Sequence, residues 1–306
     1  MDQPLYRSAA TLARAYLQHF PVSAGKRQLW DNVIRRRIAY RNLQFQARTE
    51  SGITLVLNTR DIIQRHIYYF GIWEPAITEY FKQNLKPGDT VIDIGANIGY
   101  HSLLASRLVG SNGKVLAIEA SPSILAALQR NIVLNSATNI TTIHAAVFSE
   151  AAELPIYLHD LDNLGATTVI GDVANRRHAA IEATVRAGRL QDLVAHEDLA
   201  QARLIKIDVE GAEWPVVRGM APVLPSLSPA AEILIEVEPE SLREQHTTLD
   251  EFIGTFTAAG FRPYGLNVHL ADDYESRIEA LLSAPAPQVG PIGDFTADRT
   301  EILFRR

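Results

Sequence analysis

The most informative stretch of the chain runs Val91-Ile92-Asp93-Ile94-Gly95-Ala96-Asn97-Ile98-Gly99-Tyr100. An apolar strand ends here, and a helical pattern over Ile98–Val109 follows directly. The two glycines tolerate unusual backbone dihedrals and let a ligand approach the main chain closely. A strand, a glycine turn and a helix in this order predict a site for a nucleotide-type cofactor across the carboxyl end of the strand.

Around this turn, apolar strands alternate with helical segments, which is typical of βαβ units and a parallel sheet. The pattern predicts strands at Thr90–Ile94, Lys114–Ile118, Ile140–His144, Leu204–Asp208 and Glu232–Val237. It predicts helices near Ile98–Val109, Pro122–Leu134, Ala212–Gly219 and Leu249–Ala259. Two late strands that close the sheet are expected at Phe261–Leu266 and Glu301–Arg305. The loop between them contains Ala284–Pro291. An insertion at Val147–Arg186 is expected to hold an extra hairpin.

The first 69 residues follow a different pattern. A helix that ends at Pro21 is predicted by the helical spacing of Leu5, Ala9, Leu12, Ala13, Tyr16, Leu17 and Phe20. A second helix is predicted at Leu29–Ala39. A β-hairpin is predicted from the strands Leu43–Arg48 and Ile53–Leu57. A further helix should begin at Glu74-Pro75. We therefore expect an extension of residues 1–69 followed by a larger domain of residues 70–306.

Composition limits the class of protein. The chain has 306 residues, of which 47% are hydrophobic and 21% charged, so it is not a disordered chain. A net charge of −6 provides no overall positive field for nucleic acid. Cysteine is absent, which excludes disulfides and cysteine nucleophiles. Because no signal peptide or membrane span is recognisable, we expect a cytoplasmic enzyme. We expect its acceptor to be a small molecule or a carbohydrate, and we expect neither a nucleic-acid partner nor a membrane span.

Carboxylates and one asparagine discriminate between cofactors. Glu119 ends the next strand, where a ribose-binding carboxylate belongs, and its two oxygens can accept both ribose hydroxyls. Asn97 replaces the second glycine of the dinucleotide fingerprint, the glycine that lets a pyrophosphate approach. Asp93 would repel a pyrophosphate, but it can hold the methionyl ammonium of S-adenosylmethionine. The residues favour S-adenosylmethionine, while an NAD-dependent oxidoreductase and a non-catalytic cofactor-binding protein stay open as alternatives.

Three blocks of sequence resemble the FkbM family of S-adenosylmethionine-dependent methyltransferases: Asp93-Ile-Gly-Ala-Asn-Ile-Gly99, Lys206-Ile-Asp-Val-Glu-Gly-Ala-Glu213 and Ile235-Glu236-Val237. The resemblance covers roughly residues 70 to 305. It implies a Rossmann-like α/β fold with a seven-stranded, mostly parallel sheet that contains one antiparallel strand and has helices on both faces. Residues 1–69 are expected to add an α+β extension to this fold. It also implies methylation, usually at oxygen, of sugars, polysaccharides or polyketide-type metabolites.

The resemblance also implies which residues form the site. The residues expected to bind S-adenosylmethionine are Glu74, Asp93, Gly95, Ala96, Asn97, Gly99, Glu119, Ala120, Ala146 and Asp208. An aliphatic hydroxyl must lose its proton during methylation, so a base or a metal should lie near the methyl group. Asp208 and Glu236 end adjacent predicted strands and Glu210 follows in a turn, so we predict these three as catalytic. These carboxylates serve either as base and orienting groups or as ligands of a divalent cation such as Mg²⁺. The sequence does not determine the oligomeric state, and a homo-oligomer stays open.

Overall fold

The computed structural model of the chain describes residues 3–20, 25–158, 167–176, 179–266, 287–292 and 300–306. The N-terminal elements are α1 (Gln3–His19), α2 (Lys26–Leu29), a π-helical segment (Trp30–Ala39), β1 (Gln44–Arg48), β2 (Thr54–Asn58) and α3 (Ile62–Phe70). They are followed by α4 (Pro75–Asn84), β3 (Thr90–Ile94), α5 (Tyr100–Val109), β4 (Lys114–Glu119), α6 (Pro122–Leu134), β5 (Ile140–His144), β6 (Ala146–Val147) and β7 (Ala152–Leu158).

The later described residues complete the domain. They form α7 (Gly171–Arg176), β8 (Ala180–Gly188), α8 (Leu190–Leu193), α9 (His196–Gln201), β9 (Ala202–Ile207), α10 (Glu213–Met220) and a 3₁₀ turn (Leu224–Ser226). The chain continues with β10 (Glu232–Val237), α11 (Pro239–Glu244), α12 (Leu249–Ala258), β11 (Arg262–Leu266), β12 (Val289–Pro291) and β13 (Thr300–Arg305). The predicted alternation of strands and helices is confirmed from β3 to β11.

The central sheet has the strand order β12-β11-β13-β10-β9-β3-β4-β5. Strands β5, β4, β3, β9 and β10 are parallel to one another, and β13 runs antiparallel to both β10 and β11. The predicted α/β class with a mostly parallel sheet is confirmed. An eighth strand, β12, extends the sheet beyond the predicted seven, because part of the expected loop pairs with the open edge of β11 and its proline is tolerated there.

Helices cover both faces of the central sheet. Side chains such as Ile92 and Ile205 pack with α10 and α12 on one face. Their sequence neighbours Val91 and Leu204 pack with α4 and α5 on the other face. Burial on both faces explains why β3 is apolar along nearly its whole length and buried throughout. The one carboxylate of this strand, Asp93, is therefore an unusual residue at its position.

Strands β6, β7 and β8 form a separate three-stranded sheet of order β6-β8-β7. Strands β7 and β8 pair antiparallel, so the hairpin expected in the insertion is confirmed. The hairpin of β1 and β2 is confirmed as well. Main-chain N–H groups of β2 donate to side chains of α6, with Val56 bonded to Asn131 at 2.9 Å. This contact joins the N-terminal elements to the central domain.

Two features of the N-terminal elements differ from the prediction. The sequence pattern did not predict helix α3, which is only nine residues long and buries seven of them, the polar Gln64, Arg65 and His66 included. In α1, Ala10 and Leu17 face the core, while Leu5 and Leu12 of the apolar pattern are 70% and 72% exposed. The boundary between residues 69 and 70 falls at the end of α3, and the division into two domains stays a prediction. No described helix is both long and apolar enough to cross a membrane.

Candidate active site

A cavity lies at the carboxyl ends of β3, β4, β9 and β10, where parallel strands of an α/β sheet commonly hold ligands. Its empty space, open mouth included, is about 780 Å³. The strand ends and turns supply most of the wall. The rest comes from Ile63, Trp73 and Glu74 on one side and from Ala146, Ile156 and Thr167–Val169 on the other.

The structure brings most of the predicted site residues to this cavity. Those assigned to the cofactor that line it are Glu74, Gly95, Asn97, Glu119, Ala120, Ala146 and Asp208. The other two predicted catalytic carboxylates, Glu210 and Glu236, line it too. Three predicted cofactor residues, Asp93, Ala96 and Gly99, are not part of the wall, and their surroundings explain why.

The carboxylate of Asp93 lies behind the wall. Ser102 on α5 donates its hydroxyl to Oδ2 of Asp93 at 2.5 Å, and the Asp93 side chain is buried. Burial raises the pKa of Asp93, and the nearby Lys206 ammonium opposes that rise. Through Oδ2, Asp93 therefore ties the strand β3 to the helix α5, and its contact with the methionyl ammonium stays a prediction.

The two glycines of the turn are required by close packing within the protein. Gly99 has a φ of +91°, and a Cβ there would lie 2.4 Å from Cδ1 of Leu128 on α6. Gly95 has a φ of +81°, and a Cβ there would meet the main chain of Asp208. Ala96 is buried in a small apolar cluster that also contains Leu128. Of these three residues, only Gly95 reaches the cavity wall.

Glu119 bridges the two turns that border the cavity. Its Oε2 accepts a hydrogen bond from the main-chain N–H of Asn97, and its Oε1 accepts one from that of Ser121, both at 2.9 Å. Burial raises the pKa of Glu119 to about 7, although these N–H groups favour the charged form. Each carboxylate oxygen has a second lone pair, so Glu119 can also accept hydrogen bonds from a ligand.

A cluster of carboxylates forms another part of the wall. One oxygen from each of Glu74, Asp208 and Glu236 lies within 4.8 Å of the others. The ammonium of Lys206 donates to Oδ2 of Asp208 at 2.8 Å. Burial would lower the pKa of Lys206, but Asp208, Glu74 and Asp93 together raise it, so the ammonium stays charged. This buried cation holds the Asp208 carboxylate in one orientation.

Two further titratable groups lie beside the cluster. Nε2 of His101 is 3.7 Å from Oε2 of Glu74, but burial and the charge of Lys206 keep the pKa of His101 well below its usual range. The imidazole is therefore neutral and forms no ion pair with Glu74. Glu213, expected at a helix N-terminus, is the first residue of α10, and its Oε1 accepts from the N–H of Gly211 at 3.0 Å.

Strained backbone concentrates at this cavity. The described part of the chain has five non-glycine residues with positive φ, and three of them line the cavity: Glu74 at 41°, Asn97 at 50° and Glu210 at 51°. Such conformations cost on the order of 1–3 kcal/mol each and cluster at functional sites. The rest of the fold thus holds these three side chains in place against a local cost.

The sequence did not predict the parts of the cavity wall that come from distant elements. Ile63 comes from the unrecognised helix α3, and Thr168 comes from the insertion. Thr168 forms an isolated bridge with Tyr157 of β7. No spacing in the sequence relates either residue to the glycine turn, because their proximity depends on tertiary packing alone.

Comparisons with known proteins point to one family. The family model of the methyltransferase FkbM domain matches residues 93–263. The chain is 29% identical over 164 residues to methyltransferase sdnD of Sordaria araneosa, an alignment that covers 45% of this chain and 62% of that protein. It is 27% identical over 149 residues to methyltransferase 1 of Beauveria bassiana, covering 44% of this chain and 59% of that protein. The chain thus spans less than two thirds of the length of these relatives.

Among solved structures, the chain is similar to an FkbM methyltransferase from Methylobacillus flagellatus KT. The sequence identity is 16% and the TM-score 0.41, and the superposition covers 80% of this chain and 55% of that chain.

Proposed function

This chain belongs to the FkbM methyltransferase family, and on that premise we propose that it transfers the methyl group of S-adenosylmethionine to a hydroxyl of a small-molecule or carbohydrate acceptor. The observation that supports the proposal is the position of Glu119, Asp208 and Glu236 on one cavity at the ends of β4, β9 and β10. The acceptor classes we propose are sugars, polysaccharides and polyketide-type metabolites.

The residues of the cavity fit S-adenosylmethionine. Glu119 presents carboxylate oxygens that suit the two ribose hydroxyls, and Ile118 and Ala146 supply apolar surface for an adenine ring. Gly95 and Asn97 form the turn on which we place the methionyl half. When bound, the cofactor supplies an activated methyl group for an in-line displacement, a reaction that depends strongly on positioning.

In this proposal Asp208 prepares the acceptor. Because Lys206 fixes Oδ2 of Asp208, the carboxylate has a defined orientation on the cavity wall. It orients the acceptor hydroxyl and accepts its proton as the new carbon–oxygen bond forms. Glu236 and Glu210 face the same space and hold other polar groups of the acceptor. Asp93, Ala96 and Gly99 support the turn from behind.

The same carboxylates allow a second role. Glu74, Asp208 and Glu236 bring oxygens within 4.8 Å of one another, and hard cations such as Mg²⁺ prefer oxygen ligands of this kind. A bound cation would stabilise the deprotonated hydroxyl in place of a general base. Activity that is lost with a chelator and restored by magnesium would support this second role.

Two experiments test the proposed reaction. Only S-adenosylmethionine or its demethylated product should raise the unfolding temperature of the pure protein, because a ligand that binds the native state alone stabilises it. NAD should leave that temperature unchanged. With S-adenosylmethionine labelled in its methyl group, a panel of sugars, oligosaccharides and polyketide alcohols should yield a labelled methyl ether. Stabilisation by NAD alone would replace this proposal with the oxidoreductase, and label found on nitrogen would contradict O-methylation.

A further inference from the structure

Charge is distributed very unevenly along the chain. Residues 1–69 contain eleven Lys and Arg against four Asp and Glu, which gives a formal net charge of +7. Residues 70–306 contain 18 Lys and Arg against 31 Asp and Glu, which gives −13. The overall value of −6 therefore conceals an N-terminal segment that attracts anions and a larger domain that repels them.

The same segment carries most of the exposed apolar side chains. Seven large apolar side chains are exposed in the described part of the chain. Five of them lie within the first 40 residues: Leu5, Leu12, Phe20, Val33 and Tyr40. The other two, Val133 and Ile181, are isolated from each other in sequence and lie in the acidic domain. This excess of exposed apolar side chains makes the N-terminal segment a candidate interaction surface.

The outer side of helix α1 carries two of these exposed apolar side chains. Ala10 and Leu17 are buried against the protein. The outward stripe repeats at intervals of three and four residues and consists of Leu5, Ser8, Leu12, Ala15 and His19, all exposed. Helix α1 contains no acidic residue, and its two arginines, Arg7 and Arg14, lie outside this stripe. Leu5, Leu12 and Ala15 are the apolar members of this side, and exposed apolar side chains beside cations are typical of helices that lie in a membrane interface.

Further cations adjoin α1 on the π-helical segment. Arg41, just after this segment, stacks its guanidinium 3.6 Å above the ring of Tyr6 and donates to the Tyr6 hydroxyl at 2.9 Å. Arg36 and Arg37, inside the segment, are both exposed. The contact between Arg41 and Tyr6 thus places the last turn of the π-helical segment, which carries Arg36 and Arg37, next to the end of α1 that carries Leu5.

We propose that the N-terminal surface, defined here as Leu5, Leu12, Arg36 and Arg37, binds an anionic lipid bilayer with α1 lying in the plane of the interface. The arginines match the negative headgroups, and the leucines enter the boundary with the acyl chains. The negative domain is repelled by the same bilayer, so it faces the solution. Aliphatic side chains favour lipid over nucleic acid, because a single-stranded nucleic acid binds cations and stacks its bases on aromatic rings.

Vesicle binding by the full chain tests this proposal without any assay of activity. The protein should cosediment with vesicles of phosphatidylcholine and phosphatidylglycerol but not with vesicles of phosphatidylcholine alone, and high salt should weaken the binding. The double substitution Arg36→Gln and Arg37→Gln should lower the partition coefficient about 30-fold, which corresponds to ~1 kcal/mol for each charge. Leu5→Glu with Leu12→Glu should abolish binding.

Helix α6 offers matched controls. Arg130→Gln and Val133→Glu alter exposed residues of the same kinds in the acidic domain and should leave vesicle binding unchanged. All variants should keep the wild-type unfolding temperature, since none of the altered side chains is buried. Equal binding to both vesicle types, or binding that the N-terminal substitutions leave intact, would overturn the proposal. So would binding to nucleic acid without binding to vesicles, or a dimer that Leu12→Glu dissociates in their absence.

Discussion

The main-chain carbonyl oxygen of Asp208 lies 1.8 Å from the position that a Cβ on Gly95 would occupy. The turn after β3 therefore rests directly on the end of β9, and the N–H of Asp208 donates to the carbonyl of Ile94 at 3.0 Å. Two of the three sequence blocks that carry the family resemblance meet at this contact. A glycine is needed at position 95 because the turn after β3 and the end of β9 touch there through their main chains.

Gly95→Ala should separate these two strand ends. The added Cβ would meet main-chain atoms that cannot rotate away, at a φ of +81° that alanine rarely adopts. We expect a loss of about 2–4 kcal/mol in the free energy of unfolding, together with weaker cofactor binding. Gly254→Ala is the matched control, since Gly254 lies in α12 with no atom near its Cβ position, and it should not destabilise the protein. Equal stability of the two variants in urea denaturation would contradict the contact.

Gly99→Ala should act through the packing of α5 against α6. Its Cβ would lie 2.4 Å from Cδ1 of Leu128, a side chain that can be shortened. In a double-mutant cycle, Leu128→Ala should therefore recover about 1 kcal/mol of the stability that Gly99→Ala removes. Strictly additive effects in urea denaturation would show that Leu128 is not the obstacle. The positive φ of Gly99 contributes a cost that this second substitution does not relieve.

The raised pKa of Glu119 should make stability depend on pH. Burial raises the pKa of this carboxyl from its ordinary value of 4.5 to about 7 in the folded protein, so the native state binds the proton more tightly than the unfolded chain does. The resulting stabilisation is complete below about pH 4.5 and is lost as the pH rises through about 7. Relative to Glu119→Gln, the wild-type free energy of unfolding should therefore fall by about 3 kcal/mol over this interval.

Asp208→Asn should separate chemistry from cofactor binding. The substitution preserves shape but removes the charge that pairs with Lys206, so turnover on an accepted hydroxyl substrate should fall about 10²–10⁴-fold. Affinity for S-adenosylmethionine should change little. Glu240→Gln, an exposed carboxylate outside the cavity wall, should keep full turnover. An Asp208→Asn variant as active as wild type would transfer the assignment to Glu236 or Glu210.

The strands and much of the cavity wall could be predicted from the sequence for the same physical reason. Strands buried on both faces read as apolar runs, and parallel strands bring their carboxyl ends to one edge, which is why Glu119 and Asp208 were expected together. The position of Asp93 could not be predicted in this way. Its side chain lies behind the wall because Ser102 on the next helix binds it.

Other parts of the molecule depend on packing that no local pattern encodes. Helix α3 is short and buries polar as well as apolar side chains, and no local pattern places its Ile63 at the cavity. The spacing of Leu5 and Leu12 predicted a helix correctly, but it did not show that these two side chains face outward. Only the tertiary structure shows which side of α1 faces the core.

Calorimetric titration of Glu119→Ala with S-adenosylmethionine at pH 8 tests the central claim most directly. Wild-type protein, with Glu119 ionised, should bind the cofactor, and the variant should lose about 1.5–3 kcal/mol of binding free energy because a charge-assisted hydrogen bond to a ribose hydroxyl is gone. Glu153→Ala should bind as wild type does, and the unfolding temperature of each variant should confirm a folded protein. Unchanged affinity in a folded Glu119→Ala variant would show that S-adenosylmethionine does not occupy this cavity as proposed.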